Sequence, residues 1–319
     1  MSNYKKTKLI RISPKTFVQS DNLGYNIYKK DTGDLYKKHI DMNNEYTSKE
    51  MESLENESIG DLYIKQIDYE KYSKDINKYL STVVNNTEIS SLMKSEIMHE
   101  LACDTMHDLL SGEITKSKIN QVSQSVNITV EFILKDKNAI KSMIEVTTHD
   151  YYTYTHSVDV STYALAFGNY LGLNEVQLKA LGRGAMLHDL GKKRVPLEIL
   201  NKKGKLTEDE FTVMKNHPSL GIDILKEMGE ENEITFAIIE QHHEKLSGQG
   251  YPKGLKGDEI HPFAQIVALC DIFNALTTKR SYKKAMSSFD AFKIMHQHMN
   301  KELNLKLLSK FIKFMGDVE

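Results

Sequence analysis

His188-Asp189-Leu190-Gly191-Lys192-Lys193-Arg194-Val195-Pro196 closes a run of mostly small and apolar residues, Leu181 to Leu187. A histidine and an aspartate side by side at a helix end can both reach one cation. The histidine offers a neutral ring nitrogen, and the aspartate offers two oxygens able to bridge two metals. The dipeptide alone carries little, because a capped helix end reads the same way. Its surroundings carry more. Of the twelve histidines in the chain, His156, His188, His217, His242 and His243 fall in one segment, with Asp189 inside it and Asp271 slightly beyond. Adjacent positions on a helix point about 100° apart, so near a helix end His242 and His243 could face one pocket.

Outward from this segment the pattern is helical. Spacing and breakers predict helices over Val158–Leu171, Glu175–Leu190, Glu208–Met228, Ile234–His243, Phe263–Leu276 and Ser288–His298. Gly172, Gly191, Gly229 and the Gly248–Gly257 region supply the stops and loops between them. Thr207 with Glu210 has the spacing of a capping box. Further upstream, apolar positions from Ser90 through Leu101, Ala102, Met106, Leu109 and Leu110 recur at three- and four-residue steps, as one buried helix face would. No proline lies between Pro14 and Pro196.

The first 72 residues read differently. Lys8–Ile12 and Leu62–Ile67 are short alternating runs that suit strands. Thr47-Ser48-Lys49-Glu50-Met51 looks like a helix start, with a capping hydroxyl and an acidic residue in the first turn. The tyrosines Tyr4, Tyr25, Tyr28, Tyr36 and Tyr46 point to strand and core packing. The expected organisation is a small α+β N-terminal domain over residues 1–72 with a regulatory or interaction role, a helical connecting region over 73–145, and a helical domain over 146–319 that carries the histidines.

Composition sets the outer bounds. The 319 residues are 40% hydrophobic and 27% charged, the balance of a chain able to bury a core. A formal net charge of −2 gives no bulk electrostatic case for binding a nucleic-acid polymer. A small nucleotide needs only a local cluster of positive charge and is not excluded. The two cysteines, Cys103 and Cys270, form no CxxC pair, so reduced thiols are expected rather than a disulfide framework. The basic, polar start is not followed by the apolar run of a signal peptide, and no stretch approaches the roughly 20 apolar residues of a membrane helix. The expected location is cytoplasmic.

Longer motifs sharpen the reading. Residues 188–196 read HDLGKKRVP, 199–207 read ILNKKGKLT, 214–218 read MKNHP and 242–255 read HHEKLSGQGYPKGL. Residues 271–277 read DIFNALT and are followed by Arg280, Tyr282 and Lys283. In content and order these resemble the HDxGKxxxP, ILNKxGxLT, MKxHP and HHExxxGxGYPxGL motifs, and the last motif, of the HD-GYP family, a branch of the HD phosphohydrolase superfamily. The resemblance covers roughly residues 146 to 300. It implies a mainly α fold: an all-helical HD-type catalytic domain beside the small α+β N-terminal domain.

The resemblance also implies roles at the matching positions. His156, His188, Asp189 and Asp271 would hold one metal, and His217, His242 and His243 a second, with Asp189 bridging. Imidazoles with carboxylates favour transition metals over magnesium; iron is expected first and manganese second. A third-metal glutamate found in some members would fall at Tyr152, so two ions are expected, not three. Lys192, Arg280 and Lys283 are the candidate substrate cations, and Tyr251 either contacts substrate or fixes its loop. Asp189 and Lys192 are the candidate catalytic residues. Glu244 either accepts a histidine N–H or is a surface glutamate. Three positions depart from the family pattern: Asn274 for a common aspartate, Ser281 for a proline and Ser247 for an aspartate.

The activity so implied is metal-dependent hydrolysis of cyclic di-GMP to pGpG through a metal-bridging hydroxide, with a second cut to GMP left open. The spacing itself supports only a polymetal phosphohydrolase. Two alternatives stand beside it: a cyclic-dinucleotide receptor with little turnover, and a phosphohydrolase of another nucleotide such as cyclic GMP-AMP. A homodimer or a signalling-protein partner, engaged through the N-terminal or helical region, is the expected association.

Overall fold

The computed structural model describes residues 9–12, 24–30, 36–41, 62–147, 153–279 and 284–318. By internal contact density the chain divides into two units: Met1–Ser90 with Glu100–Ile128, and Ser91–His99 with Thr129–Glu319. The first unit carries a four-stranded antiparallel sheet of Leu9–Ile12 (β1), Ile27–Lys30 (β2), Tyr36–Ile40 (β3) and Leu62–Lys65 (β4), in the order β1-β4-β2-β3. In the β1–β4 pair, Ile10 faces Ile64 and Ile12 faces Leu62. All four are buried, because alternate residues of a strand share a face. Of the two expected runs, Leu9–Ile12 and Leu62–Lys65 form strands, and Gln66–Asp68 continues the second as a 3₁₀ turn. The helix start expected at Thr47–Met51 lies outside the described residues.

The helix Tyr69–Asn85 (α1) buries Tyr69, Tyr72, Ile76, Leu80, Val83 and Val84, a stripe at three- and four-residue steps. Tyr72 meets Tyr25 edge-on at 6.0 Å between ring centroids. Helices Ser91–Ser111 (α2) and Lys116–Lys135 (α3) contribute residues to both units. The predicted face of α2 is inward at Met98, Leu101, Ala102, Met106 and Leu109.

The second unit is helical. Ala139–Val146 (α4), Thr153–Tyr170 (α5) and Glu175–Leu187 (α6) lead to a 3₁₀ turn over Leu190–Arg194. Leu197–Leu200 (α7), Glu208–Met214 (α8), His217–Glu227 (α9), Glu233–Gln241 (α10), Pro262–Thr277 (α11), Ser288–His298 (α12) and Leu305–Val318 (α13) follow. Every residue of α5 from His156 to Gly168 is buried, so this helix runs through the middle of the unit. Val160, Ala164 and Phe167 of α5 join Ala185 of α6, Ile238 of α10, Val267 and Phe273 of α11, and Phe311 of α13 in one apolar core. His99 Nε2 lies 2.7 Å from Asp159 Oδ1 and ties the start of α2 to α5.

The fold is mainly α, as the motifs imply, but three local expectations change. Glu208–Met228 is two helices, not one, because Pro218 cannot donate to a continuing ladder and sits instead in the first turn of α9. The helix expected to reach Leu190 gives way after Leu187 to the 3₁₀ turn. Helix α13 was not expected at all, although Leu308, Phe311, Phe314 and Met315 form its buried stripe.

Two backbone features set the site. A Cβ added at Gly191 would fall 1.8 Å from the carbonyl oxygen of His217, so the 3₁₀ turn and the start of α9 touch main chain to main chain. The loop after His243 folds back on Glu244 in the same way, since a Cβ at Gly250 would lie 2.4 Å from the Glu244 Cα. The Glu244 carboxylate accepts the backbone N–H groups of Lys253 (2.7 Å) and Gly254 (3.1 Å) on one oxygen and Leu255 (3.0 Å) on the other. Read as a histidine N–H acceptor or a surface glutamate, Glu244 instead holds the glycine-rich loop; its chain neighbour His243 turns away toward Tyr251.

Gly191→Ala is expected to cost about 3 kcal/mol, the upper end for overpacking, because backbone rather than a side chain blocks the new methyl; the urea midpoint of the purified chain measures it. Glu244→Ala is expected to speed amide hydrogen exchange at Lys253, Gly254 and Leu255 selectively, since each loses its acceptor. Unchanged exchange there would show that the carboxylate does not organise the loop.

Candidate metal centre

Helix ends deliver most of the side chains. His188 follows α6 directly, Asp189 begins the 3₁₀ turn, His217 opens α9, and His242 caps α10 with His243 next to it. His156 and Asp271 come instead from within the buried helices α5 and α11. The ligand atoms gather in two groups: Asp189 with His217, His242 and His243, and Asp189 with His156 and His188. Within each group these atoms lie within 4.8 Å of one another, and Asp189 belongs to both. Asp271 stands outside both groups, its Oδ1 3.1 Å from His156 Nε2.

The imidazoles are aimed by their outer nitrogens. Nδ1–H of His188, His217 and His242 donates to the carbonyl three residues upstream, Ala185 (2.6 Å), Met214 (2.8 Å) and Ile239 (2.8 Å) respectively. His156 Nδ1–H donates to Asn274 Oδ1 at 2.7 Å. This fixes the tautomer and leaves each Nε2 with its lone pair facing inward. Sequence reading missed these partners. Asn274, one of the departures from the family pattern, serves a candidate ligand through its side chain. Its place one turn after Asp271 on α11 was the available signal.

Burial and charge act together here. Burial pulls the pKa of His217 down to about 4 and that of His243 to about 3, and holds His242 well below its usual value. These rings are neutral near pH 7, the state a metal needs. Asp189 is 1% exposed, and burial opposes its charge, but Lys192 and His188 keep it ionised far below the usual carboxylate range. Burial also opposes the charge of Asp271, which its hydrogen bond and attraction to His156 hold low. His188 moves the other way: burial lowers its pKa, but the Asp189 and Asp271 charges outweigh burial and raise it. The pocket at His188 Nε2 therefore attracts positive charge.

The donor set fits metal ions. His217 Nε2 and His242 Nε2 lie 3.3 Å apart, and with both Nδ1 atoms protonated these are two acceptors facing each other. His188 Nε2 and Asp189 Oδ1 are buried without a hydrogen-bond partner. Buried acceptors crowded together and left unmet are costly unless a cation lies among them. Imidazole with carboxylate is a transition-metal donor set.

The remaining candidates are placed as follows. Lys192 Nζ is 2.5 Å from Asp189 Oδ2, with its side chain 18% exposed. Tyr251 packs on His243 with ring centroids 4.7 Å apart, and burial raises the pKa of its hydroxyl. Arg280, Lys283, Ser281 and Tyr152 lie outside the described residues. Among the described residues, no helix is long and apolar enough to cross a membrane.

Comparison with known proteins gives the family. The model of the HD domain family matches residues 126–305. Cyclic di-GMP phosphodiesterase PA4108 of Pseudomonas aeruginosa is 33% identical over 215 residues, 67% of this chain and 48% of that protein. 3'3'-cGAMP-specific phosphodiesterase 3 of Vibrio cholerae is 36% identical over 149 residues, 47% of this chain and 32% of that protein. The chain thus spans less than half the length of either relative. Among solved structures, Bd1817, an HDG"Y"P protein from Bdellovibrio bacteriovorus, superposes with a TM-score of 0.71 over 97% of this chain and 100% of that one, at 20% identity. That likeness shows a shared fold. The family match covers more than half of the chain and contains all seven candidate ligands, so the chain belongs to the HD domain family.

Proposed function

We propose that the chain is a metal-dependent phosphodiesterase that opens cyclic di-GMP to linear pGpG. The observation that carries this reading is the pair of ligand groups sharing Asp189, in which His188 Nε2 and Asp189 Oδ1 are buried with no hydrogen-bond partner. Names of the relatives supply the substrate class, and HD domains bind divalent metals. His156, His188, Asp189 and Asp271 would hold one ion and His217, His242 and His243 the other, with Asp189 shared. Iron is the first expectation for both and manganese the second.

When bound, the ions would supply Lewis-acid polarisation of the phosphoryl oxygens and a water of lowered pKa. The protein's own groups do the rest. Asp189 brings the one carboxylate that both groups use. Lys192, already beside it, places an ammonium where negative charge grows on the phosphate. Tyr251 walls the His243 side and limits water there. Arg280 and Lys283 are the further phosphate or base contacts in this proposal. Hydrolysis adds water across one P–O3′ bond, leaving a 5′-phosphate and a 3′-hydroxyl on the linear product.

Chain loaded with iron(II) or manganese(II) is expected to convert cyclic di-GMP to pGpG, followed by chromatography against 3'3'-cGAMP as a competing substrate; a chelator is expected to abolish turnover. Saturable binding of the dinucleotide by metal-loaded chain without any product would replace the enzyme by a receptor. Asn274→Ala is expected to weaken metal binding at His156 roughly 10- to 100-fold, read as metal content after dialysis against graded chelator. Wild-type retention would remove Asn274 from the centre.

A further inference from the structure

An aromatic path leads outward from the candidate centre. His243 and Tyr251 pack at 4.7 Å between centroids, and Tyr251 meets Phe211 edge to face at 6.3 Å. Lys215 Nζ then stands 5.2 Å from the Phe211 centroid. Phe211 is 43% exposed, and helix α8, which carries it, has no buried residue. No carboxylate among the described residues lies within ion-pair distance of Lys215. Phe211 and Lys215 are four residues apart on one helical face. Thus a flat apolar ring and an ammonium with no acidic partner among the described residues sit together on the rim.

Two ring-to-ring contacts, of 4.7 and 6.3 Å between centroids, link His243 through Tyr251 to Phe211. We infer that Phe211 and Lys215 form a base subsite, in which a guanine of the substrate stacks on Phe211 while Lys215 meets its O6 and N7. The inference rests on the cyclic-dinucleotide reading above. Stacking on an aromatic ring tolerates any base. Selection comes from Lys215, since guanine presents two acceptors on that edge whereas adenine places an amino donor there. Tyr251 then has two tasks: one face covers His243, and an edge props the ring that receives the base.

The chain contains no tryptophan, so Phe211→Trp installs a single fluorophore at the subsite. A phosphorothioate analogue of cyclic di-GMP, added to the metal-loaded variant, is expected to quench its emission saturably. The matching cyclic di-AMP analogue is expected to bind about fivefold more weakly or worse, and Lys215→Met in the same background to bring the two within about twofold. Phe211→Leu keeps apolar packing on Tyr251 but removes the flat face. It is expected to raise KM for cyclic di-GMP about tenfold with kcat within about twofold and metal content unchanged. Saturable binding with no change in emission, or Phe211→Leu at wild-type KM, overturns the subsite and leaves the phosphodiesterase reading standing. A wild-type chain that neither binds nor turns over any cyclic dinucleotide overturns that reading and the subsite with it.

Discussion

The carboxylate of Asp189 is the group around which the second unit is built. A charge with almost no access to water is tolerated only where neighbouring groups answer it. His188, His217 and Lys192 surround it at 3.4, 3.4 and 2.5 Å, each from a different point on the path from α6 to α9. An isolated carboxylate in that position would sooner take up a proton than stay ionised. Holding it ionised obliges the end of α6, the 3₁₀ turn and the start of α9 to converge, and the apolar core of α5, α10 and α11 packs behind that convergence.

Orientation follows from the backbone rather than from a web of side chains. Three of the histidines at helix ends spend their outer N–H on the carbonyl three residues back, an acceptor with no full helical partner at a helix terminus. One hydrogen bond therefore serves twice: it satisfies the helix end and aims the ring. His156 lies within α5, where the carbonyls are used by the helix itself, and it takes Asn274 from the neighbouring helix α11 instead. Position along a helix thus explains which ring needs a side-chain partner.

The candidate ligand set stood out because its histidines are clustered and arranged in long ordered motifs, and the helical class followed from periodicity around them. Strands β1 and β4 were legible from alternation. Less accessible was anything decided by a partner distant in sequence. The three loop amides taken by Glu244 and the Asn274–His156 bond join residues nine to over a hundred positions apart. Neither pattern nor propensity reports such a pairing. The break at Asn216 was signalled by Pro218 but masked by the apolar spacing on either side. Helix α13 has a clear stripe of its own, yet it follows the last motif and drew no attention.

The contact between Gly191 and the His217 carbonyl has a bearing on selectivity. It couples Asp189 and His217 through main-chain atoms, which yield far less than rotatable side chains. The spacing of the backbone that carries these two candidate donors is accordingly a property of the skeleton, like the jaw of a fixed wrench. Discrimination by ionic radius would then be built into the polypeptide path itself, leaving donor chemistry to choose only among cations that already match the gauge.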